Sequence, residues 1–463
     1  MFLKKLEEAK AYDKKLISKK WDELEAGLRA QSDEKSAREI RCAFEDYYQE
    51  IFGKGDLAFW LANLYDAESG GFYYSNSARD NDGFLPDLES TRQAIRLLHV
   101  LGIPECYGET IGDLYPDDFK KKVIKFVKER QDENGYFYHP QWEKAFTDSK
   151  PHRRGRDLQW ACQLLEWFGD SPTYDTPLGV KGNGVLADGR IAENYVQRDC
   201  SGIAAPKEEL VTPQLLNKEA FLKYLSKFDL NKDPYVVSSC FESESRQIYA
   251  RDLVLHNMGA DYSLCDILSE WFTEKQDTKT GLWTFKSPDT EGTNGLLKAA
   301  GAFNGIHRPL PNPTKGIESC IEVINGNEPC HTVCYVLNPW YGINHILLNM
   351  RLYGEGDSAA DKYKKYIFSR APEMIEKTKV RIMDFKKPDG SFSMNKKCSS
   401  YTSQGHPVAI KDTDEGDVNA TNIGTQGIIG HIFDLLNVPR IPVLGLADKM
   451  RFFEIIEEKT RQK

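Results

Sequence analysis

Apolar residues recur three and four positions apart along much of the chain, the spacing that lines up one face of an α-helix. Residues 91–101 set Ala94, Ile95, Leu97, Leu98 and Leu101 on one broad stripe, and 158–168, 343–352 and 427–436 carry stripes of the same kind. Polar amphipathic stretches such as 118–130 and 361–379 lie between them. No stretch alternates apolar and polar residues over strand length beside a hairpin turn. The pattern therefore predicts an all-α fold. Polar helices alternating with apolar ones suit two concentric layers, with the polar set outside.

Between the helices a short signature repeats. It joins an acidic or amide turn, a glycine and an aromatic residue at 66–74 (DAESGGFYY), 131–139 (QDENGYFYH), 275–285 (KQDTKTGLWTF) and 387–394 (KPDGSFSM). Gly71, Gly135, Gly281 and Gly390 are expected to supply the positive φ of these turns, and a neighbouring Asp or Asn to close them. The aromatic residue is expected to wedge between helices. The copies are unevenly spaced, so further hairpins without the marker are expected between them, one at 335–353. Residues 171–217, rich in Gly, Pro and Asp, read as a long loop or lid.

These repeats resemble the α/α toroid of the terpenoid cyclase and protein prenyltransferase superfamily. In that fold outer helices end in a Gln/Asp–Gly–aromatic turn and inner helices follow. QDENGYF and KQDTKTGLW are the copies most similar to that turn. The resemblance implies a single α/α toroid domain over residues 1–463, a barrel of helical hairpins around a polar cavity, with 1–50 as an N-terminal helical segment. It implies no particular reaction, because one fold hosts many.

Composition narrows the classes of function. Hydrophobic residues make up 40% and charged residues 28% of the chain, an ordinary globular balance. The net charge of −9 disfavours nucleic-acid binding, which needs a basic face. There is no apolar run of about 18 residues, so no membrane span is expected. No apolar segment follows the first lysines, which argues against an export signal. The ten cysteines are scattered and are expected to be reduced thiols in a cytoplasmic protein. Phosphate-binding glycine loops, nucleophile elbows and His-Glu-x-x-His are missing, so no cofactor is expected. Cys330, His331 and Cys334 lack a second ligand pair at metal-site spacing, so no metal is expected either.

In a toroid the polar loops would enter the inner helices from one rim and bring their acids to the cavity mouth. The acids so placed are Asp87, Glu89, Asp157, Asp289, Glu291, Asp414, Glu415 and Asp417. Asp before an apolar helix is also the usual N-cap, and Asp87 with Ser90 and Asp417 with Thr421 have that form. Asp412-Thr413-Asp414-Glu415 resembles the Asp-x-Asp-Asp motif of class II terpene cyclases, with Glu in the last place. That resemblance would make Asp414 the acid. Residues 387–409 and Asn338-Pro339-Trp340-Tyr341 loosely resemble segments of helical-toroid polysaccharide lyases. That resemblance implies Tyr401 as a catalytic tyrosine and Trp340 and Tyr341 as sugar-stacking platforms. His345 lies one helical turn after Tyr341, on the same face, and with His331 the two form a third group of proton carriers. Arg153, Arg154 and Arg156, and Arg251 near His256, could bind a carboxylate or phosphate, or could make surface salt bridges.

The reading these features favour is a carbohydrate-active enzyme, a lyase or glycoside hydrolase acting on a uronate-bearing oligosaccharide. Its expected catalytic residues are Tyr401, His331, His345, Asp414 and Asp417. Trp340, Tyr341, Asp87, Glu89, Arg92, Arg154, Asp157 and Asn419 are expected to bind substrate. One alternative is a terpene-cyclase-like enzyme using Asp414 as general acid, and another is a non-catalytic toroid that binds proteins. The cavity lining separates them. A prenyl substrate needs aliphatic and aromatic walls, whereas a protein-binding module needs no polar cluster inside.

Overall fold

Capping residues and apolar stripes set the helices that position everything else. The computed structural model describes residues 2–193 and 212–462, and these are predominantly helical. The chain opens with α1 (Phe2–Arg29), α2 (Glu34–Phe52), α3 (Leu57–Asn63) and α4 (Leu88–Val100). It continues with α5 (Asp117–Lys128), α6 (Pro151–Trp167), α7 (Lys218–Leu225), α8 (Pro234–Asn257) and α9 (Leu264–Glu274). Then come α10 (Thr290–Gly305), α11 (Pro313–Asn325), α12 (Cys334–Leu352) and α13 (Asp357–Ile382). Next, α14 begins as Val418–Asn422, passes through a π-helical turn at Ile423–Gly427 and ends as Ile428–Leu436. The last helix is α15 (Leu446–Arg461). No described helix is long and apolar enough to cross a membrane.

The caps act as their spacing suggests. Asp87, Asp289 and Asp417 each accept a hydrogen bond from a backbone N–H three residues on, at the starts of α4, α10 and α14. Asp13 on α1 caps at a distance, accepting from the N–H groups of Leu446 and Ala447 at 2.7 and 2.9 Å. That contact ties the first helix to the start of the last.

The repeated turn is closed by the same kind of backbone bond in each copy, to a carbonyl five residues on in the first and third copies and four residues on in the second and fourth. The N–H of Asp66, Asp132, Asp277 and Lys387 donates to the carbonyl of Gly71, Tyr136, Leu282 and Ser391, at 2.8–2.9 Å. Gly135, Gly281 and Gly390 take φ of +82°, +70° and +91°. In the first copy the left-handed residue is Gly70 at +85°, not Gly71. Gly71 is required for space instead, since a Cβ there would lie 2.4 Å from the Phe126 ring. Gln131 and Gln276 tie the turns to the next loop, Gln131 through Thr173 and Tyr174 and Gln276 through Pro311 and Asn312. Phe72, Phe137, Trp283 and Phe392 are fully buried beyond the turns, and Phe392 lies against Gly424 in the π-helical turn.

A fifth copy was hidden in the segment 171–217. Leu186 N–H donates to Arg190 O at 2.8 Å and Gly189 takes φ +84°. It escapes the sequence signature because Arg190 and Ile191 stand where the others carry an aromatic. Residues 194–211 of the expected loop or lid lie outside the described residues.

Helices with apolar stripes pack in series. α4 packs on α6, α8 on α10, α10 on α12, α12 on Ile428–Leu436 of α14, and Val418–Asn422 of α14 on α4. Of the others, α5, α9, α11 and α13 lie against α6, α8, α12 and α2 respectively, and α15 against α1 and α3. One buried cluster joins α2 to α8–α14, and a second joins α3–α6 to α15. The sequence pattern predicts no strand, yet Thr402–Ser403 pairs antiparallel with His406–Pro407. Two residues a side are too few to show alternation.

Candidate functional site

A cavity of about 920 Å³ opens between α6, α8, α10 and α12. α6 lines it with Arg156 and Gln159, α8 with Tyr235, Cys240 and Glu242, α10 with Lys298 and α12 with Tyr341. Gln404, at the tip of the hairpin, closes one side. Glu242 and Lys298 are paired at 2.7 Å across the α8–α10 contact. Gly301 makes room for that carboxylate, since a Cβ there would come within 2.5 Å of Glu242 Oε1. Burial opposes the charge of Lys298, but the Glu242 carboxylate more than offsets it and holds the ammonium above its usual pKa.

Tyr341 forms part of the wall and is backed by two imidazoles. The His431 ring stacks on it at 4.4 Å and the His345 ring meets it edge-on at 4.4 Å. Burial pushes both histidines down to about 4, so both are neutral at neutral pH. Burial, with the Glu242 charge behind it, pushes the Tyr341 phenol up, so it keeps its proton. Asn344 holds His431 in place, donating to its backbone carbonyl at 3.1 Å.

Beside the cavity lies a sealed ionic network centred on Arg153, whose side chain is 0% exposed. It donates to Asp87 at 3.1 Å, to Glu89 at 2.8 Å and to both oxygens of Asp157 at 3.0 Å. The Trp142 ring covers the guanidinium at 4.7 Å. Glu89 also accepts from Arg156 at 3.0 Å, from Gln93 at 3.2 Å and from Ser403. Arg156 thus has one edge in the network and one in the cavity. Desolvation opposes the charge on Arg153, but Asp157, Glu89 and Asp87 hold it firmly protonated. Burial lifts Asp157 to about 6 against the pull of Arg153.

The structure gathers several residues the sequence singled out. Asp87, Glu89 and Asp157 meet at Arg153, and Gln93 links Glu89 to Asn419 at 3.2 Å. Asp417 is fully buried at the cap of α14, hydrogen-bonded to Tyr74 and to the N–H groups of Ala420, Met394 and Ser400. Burial outweighs these bonds and lifts it to about 7.

Others lie elsewhere. Trp340 is fully buried and donates to Thr378 Oγ1 at 3.0 Å, so it packs α12 against α13 and offers no face to a sugar. Asp414 is 81% exposed and ion-paired with Lys387, which lowers its pKa, the opposite of what a general acid needs. Tyr401 is 46% exposed under Lys411, and His331 is exposed near Tyr335, neither of them in the cavity wall. Arg92 is half-buried between Gln163 and Trp167, and burial lowers it to about 10. Arg154 pairs with Asp148 and lies over Tyr136. Asp289 and Glu291 share Lys286, while Glu415 is buried and accepts from Ser77 and Ser399. Arg251 binds the carbonyls of Leu215 and Leu216. Cys330 is buried, and Cys334 sits 3.8 Å from the Met394 sulfur. Among the described residues no group of three or more His, Cys, Asp and Glu is arranged to hold a metal.

Sequence reasoning missed Glu242, Lys298, Gln159 and Tyr235. The Glu242–Lys298 pair joins positions 56 apart, beyond any local motif. No protein-family model matches the chain, and no curated protein or solved structure matches it.

Proposed function

We propose that α4, α6, α8, α10, α12 and α14 form the inner layer of a single α/α toroid domain over residues 1–463, whose cavity binds and cleaves a uronate-bearing oligosaccharide. One observation carries the reading. A cavity of oligosaccharide size holds two cations, Arg156 and Lys298, one carboxylate, Glu242, and two phenols, Tyr235 and Tyr341. The charged lining is unfavourable for a prenyl chain.

Each group has a task in a β-elimination. Arg156, held by Glu89, neutralises the uronate carboxylate and so acidifies the adjacent C–H. The Glu242 carboxylate, oriented by Lys298, takes that proton. The electron pair forms the new C=C bond and the glycosidic C–O bond breaks. The Tyr341 phenol, protonated at neutral pH, delivers a proton to the departing oxygen. Tyr235 offers a ring on which a sugar face stacks. Glycoside hydrolysis uses two carboxylates astride the bond. Glu242 is the carboxylate among the lining residues, so elimination suits the cavity better.

The test is incubation with a panel of uronate oligosaccharides, following ultraviolet absorbance of the unsaturated product. Turnover by the wild-type protein, with Glu242→Gln slower by about 10²–10⁴-fold, is expected. No turnover of any uronate, together with no melting-temperature shift on adding them, overturns the reading.

A further inference from the structure

The hairpin tip is built to face the cavity. Gln404 and Gly405 both take positive φ, +47° and +86°, as a two-residue turn between twisted strands requires. Glycine does this freely, whereas a glutamine there is held against its backbone preference. Three anchors hold it. Ser403 donates to Glu89, His406 Nε2 lies 3.2 Å from Thr147 Oγ1, and the His406 ring is clasped by Trp142 at 4.4 Å and Phe146 at 4.7 Å.

Hydrogen counting then settles which end of the Gln404 amide the cavity meets. Ser403 Oγ lies 2.5 Å from Glu89 Oε2 and 2.8 Å from the end of the Gln404 amide placed as Oε1. A serine hydroxyl has one hydrogen to donate. Glu89 is clamped by the Arg153 and Arg156 guanidiniums and serves as an acceptor, so the charge-assisted bond takes that hydrogen. A second acceptor cannot lie at 2.8 Å from the same oxygen without a hydrogen between them. The amide therefore turns over, a half-rotation that conserves its shape. Its NH₂ donates to Ser403 Oγ, and its carbonyl is left for the cavity. Among the described residues the outer end of this amide has no hydrogen-bond partner.

We propose that Gln404 is a specificity-determining residue that presents a carbonyl acceptor, on a preorganised tip, to a hydroxyl or N–H donor of the cavity's occupant. The occupant's class rests on the saccharide reading above. The chain Arg153–Glu89–Ser403–Gln404 fixes the polarity of the acceptor, so a ligand hydroxyl is read as a donor at this point.

Two measurements test it. The first is calorimetric binding of a uronate oligosaccharide and its O-methylated counterpart to wild type and Gln404→Met. The hydroxylated ligand is expected to bind Gln404→Met about 10-fold more weakly, with the methylated ligand that lacks the donor binding both proteins equally. Equal binding of the hydroxylated ligand to both proteins overturns the proposal and leaves the saccharide reading standing. An equal loss for both ligands also overturns it, because packing would then be the cause. The second needs no ligand. The Gln404 NH₂ resonances, assigned by their loss in Gln404→Met, are expected to be protected from solvent exchange in wild type and to lose protection in Ser403→Ala. Freely exchanging NH₂ protons in wild type overturn the amide orientation. If wild type binds no saccharide, the saccharide reading fails and this second measurement alone decides the polarity of the tip.

Discussion

Replacing Arg153 with methionine probes the ionic network most sharply. The side chain has nearly the same reach but leaves Asp87, Glu89 and Asp157 with less countercharge, and all three are at most 3% exposed. Removing one partner of a buried ion pair costs about 3–5 kcal/mol. The entropy of unfolding is about 2.1 cal/mol/K per residue, or about 1 kcal/mol/K for this chain, so the melting temperature should fall by about 3–5 °C. The loss should also depend on pH. The Asp157 carboxyl already sits at about 6 because burial outweighs Arg153, and without Arg153 it rises further. A carboxyl raised above its unfolded value binds more protons folded than unfolded, so its favourable contribution is full below about pH 4 and is lost as pH rises through the folded pKa. The variant therefore gains more than wild type on acidification. Scanning calorimetry at pH 8 and pH 5 should show the gap between the two proteins narrowing at pH 5. A gap that is constant with pH, or below the calorimeter's error at both, would refute the reasoning.

Asp417→Asn should flatten the pH dependence of stability between about pH 4 and 7, because the wild-type carboxyl is raised from 3.8 to about 7 and its contribution is lost across that window; thermal melts of the two proteins across the range check it. The variant should also be less stable than wild type below about pH 4, since its NH₂ must face either the Ala420 N–H or the N–H donors of Met394 and Ser400. Gly135→Ala should destabilise more than Gly189→Ala. Both have positive φ, costing about 1 kcal/mol in either case, but among the described residues only the first Cβ strikes a neighbour, Asp175 O at 2.1 Å; urea unfolding of the pair decides it. Tyr341→Phe should lower kcat on a uronate substrate by about 10²–10⁴-fold with little change in binding, and an unchanged kcat would remove Tyr341 as the acid.

What could be read from the sequence was what is decided locally. Asp87 and Asp417 cap because their partners lie three residues on, and the turns close because Asp and Gly are neighbours. Tyr341 and His345 face each other because they are one helical turn apart. Arg153 looked like a surface base, since its partners Asp87 and Glu89 lie 66 and 64 residues away. Trp340 and Tyr341 are adjacent in sequence, but a helix turns successive side chains about 100° apart, so one enters the core and the other the cavity. Asp414 and Asp417 share an acidic run yet differ entirely, one exposed on Lys387 and one sealed under Tyr74. Composition carries no record of which is which. The fifth turn escaped because Gly189 has no aromatic beside it, although its hydrogen bonding is the same.

The central claim is that the cavity recognises an anionic sugar through Arg156, with Lys298 offsetting the charge of the neighbouring Glu242. Its most direct test is calorimetric titration of a uronate oligosaccharide and its neutral, carboxyl-reduced counterpart into wild type, Arg156→Met and Lys298→Met. The account predicts that wild type prefers the uronate and that each variant loses most of that preference. Equal affinity for the two sugars in wild type, or a preference undiminished in both variants, would contradict it.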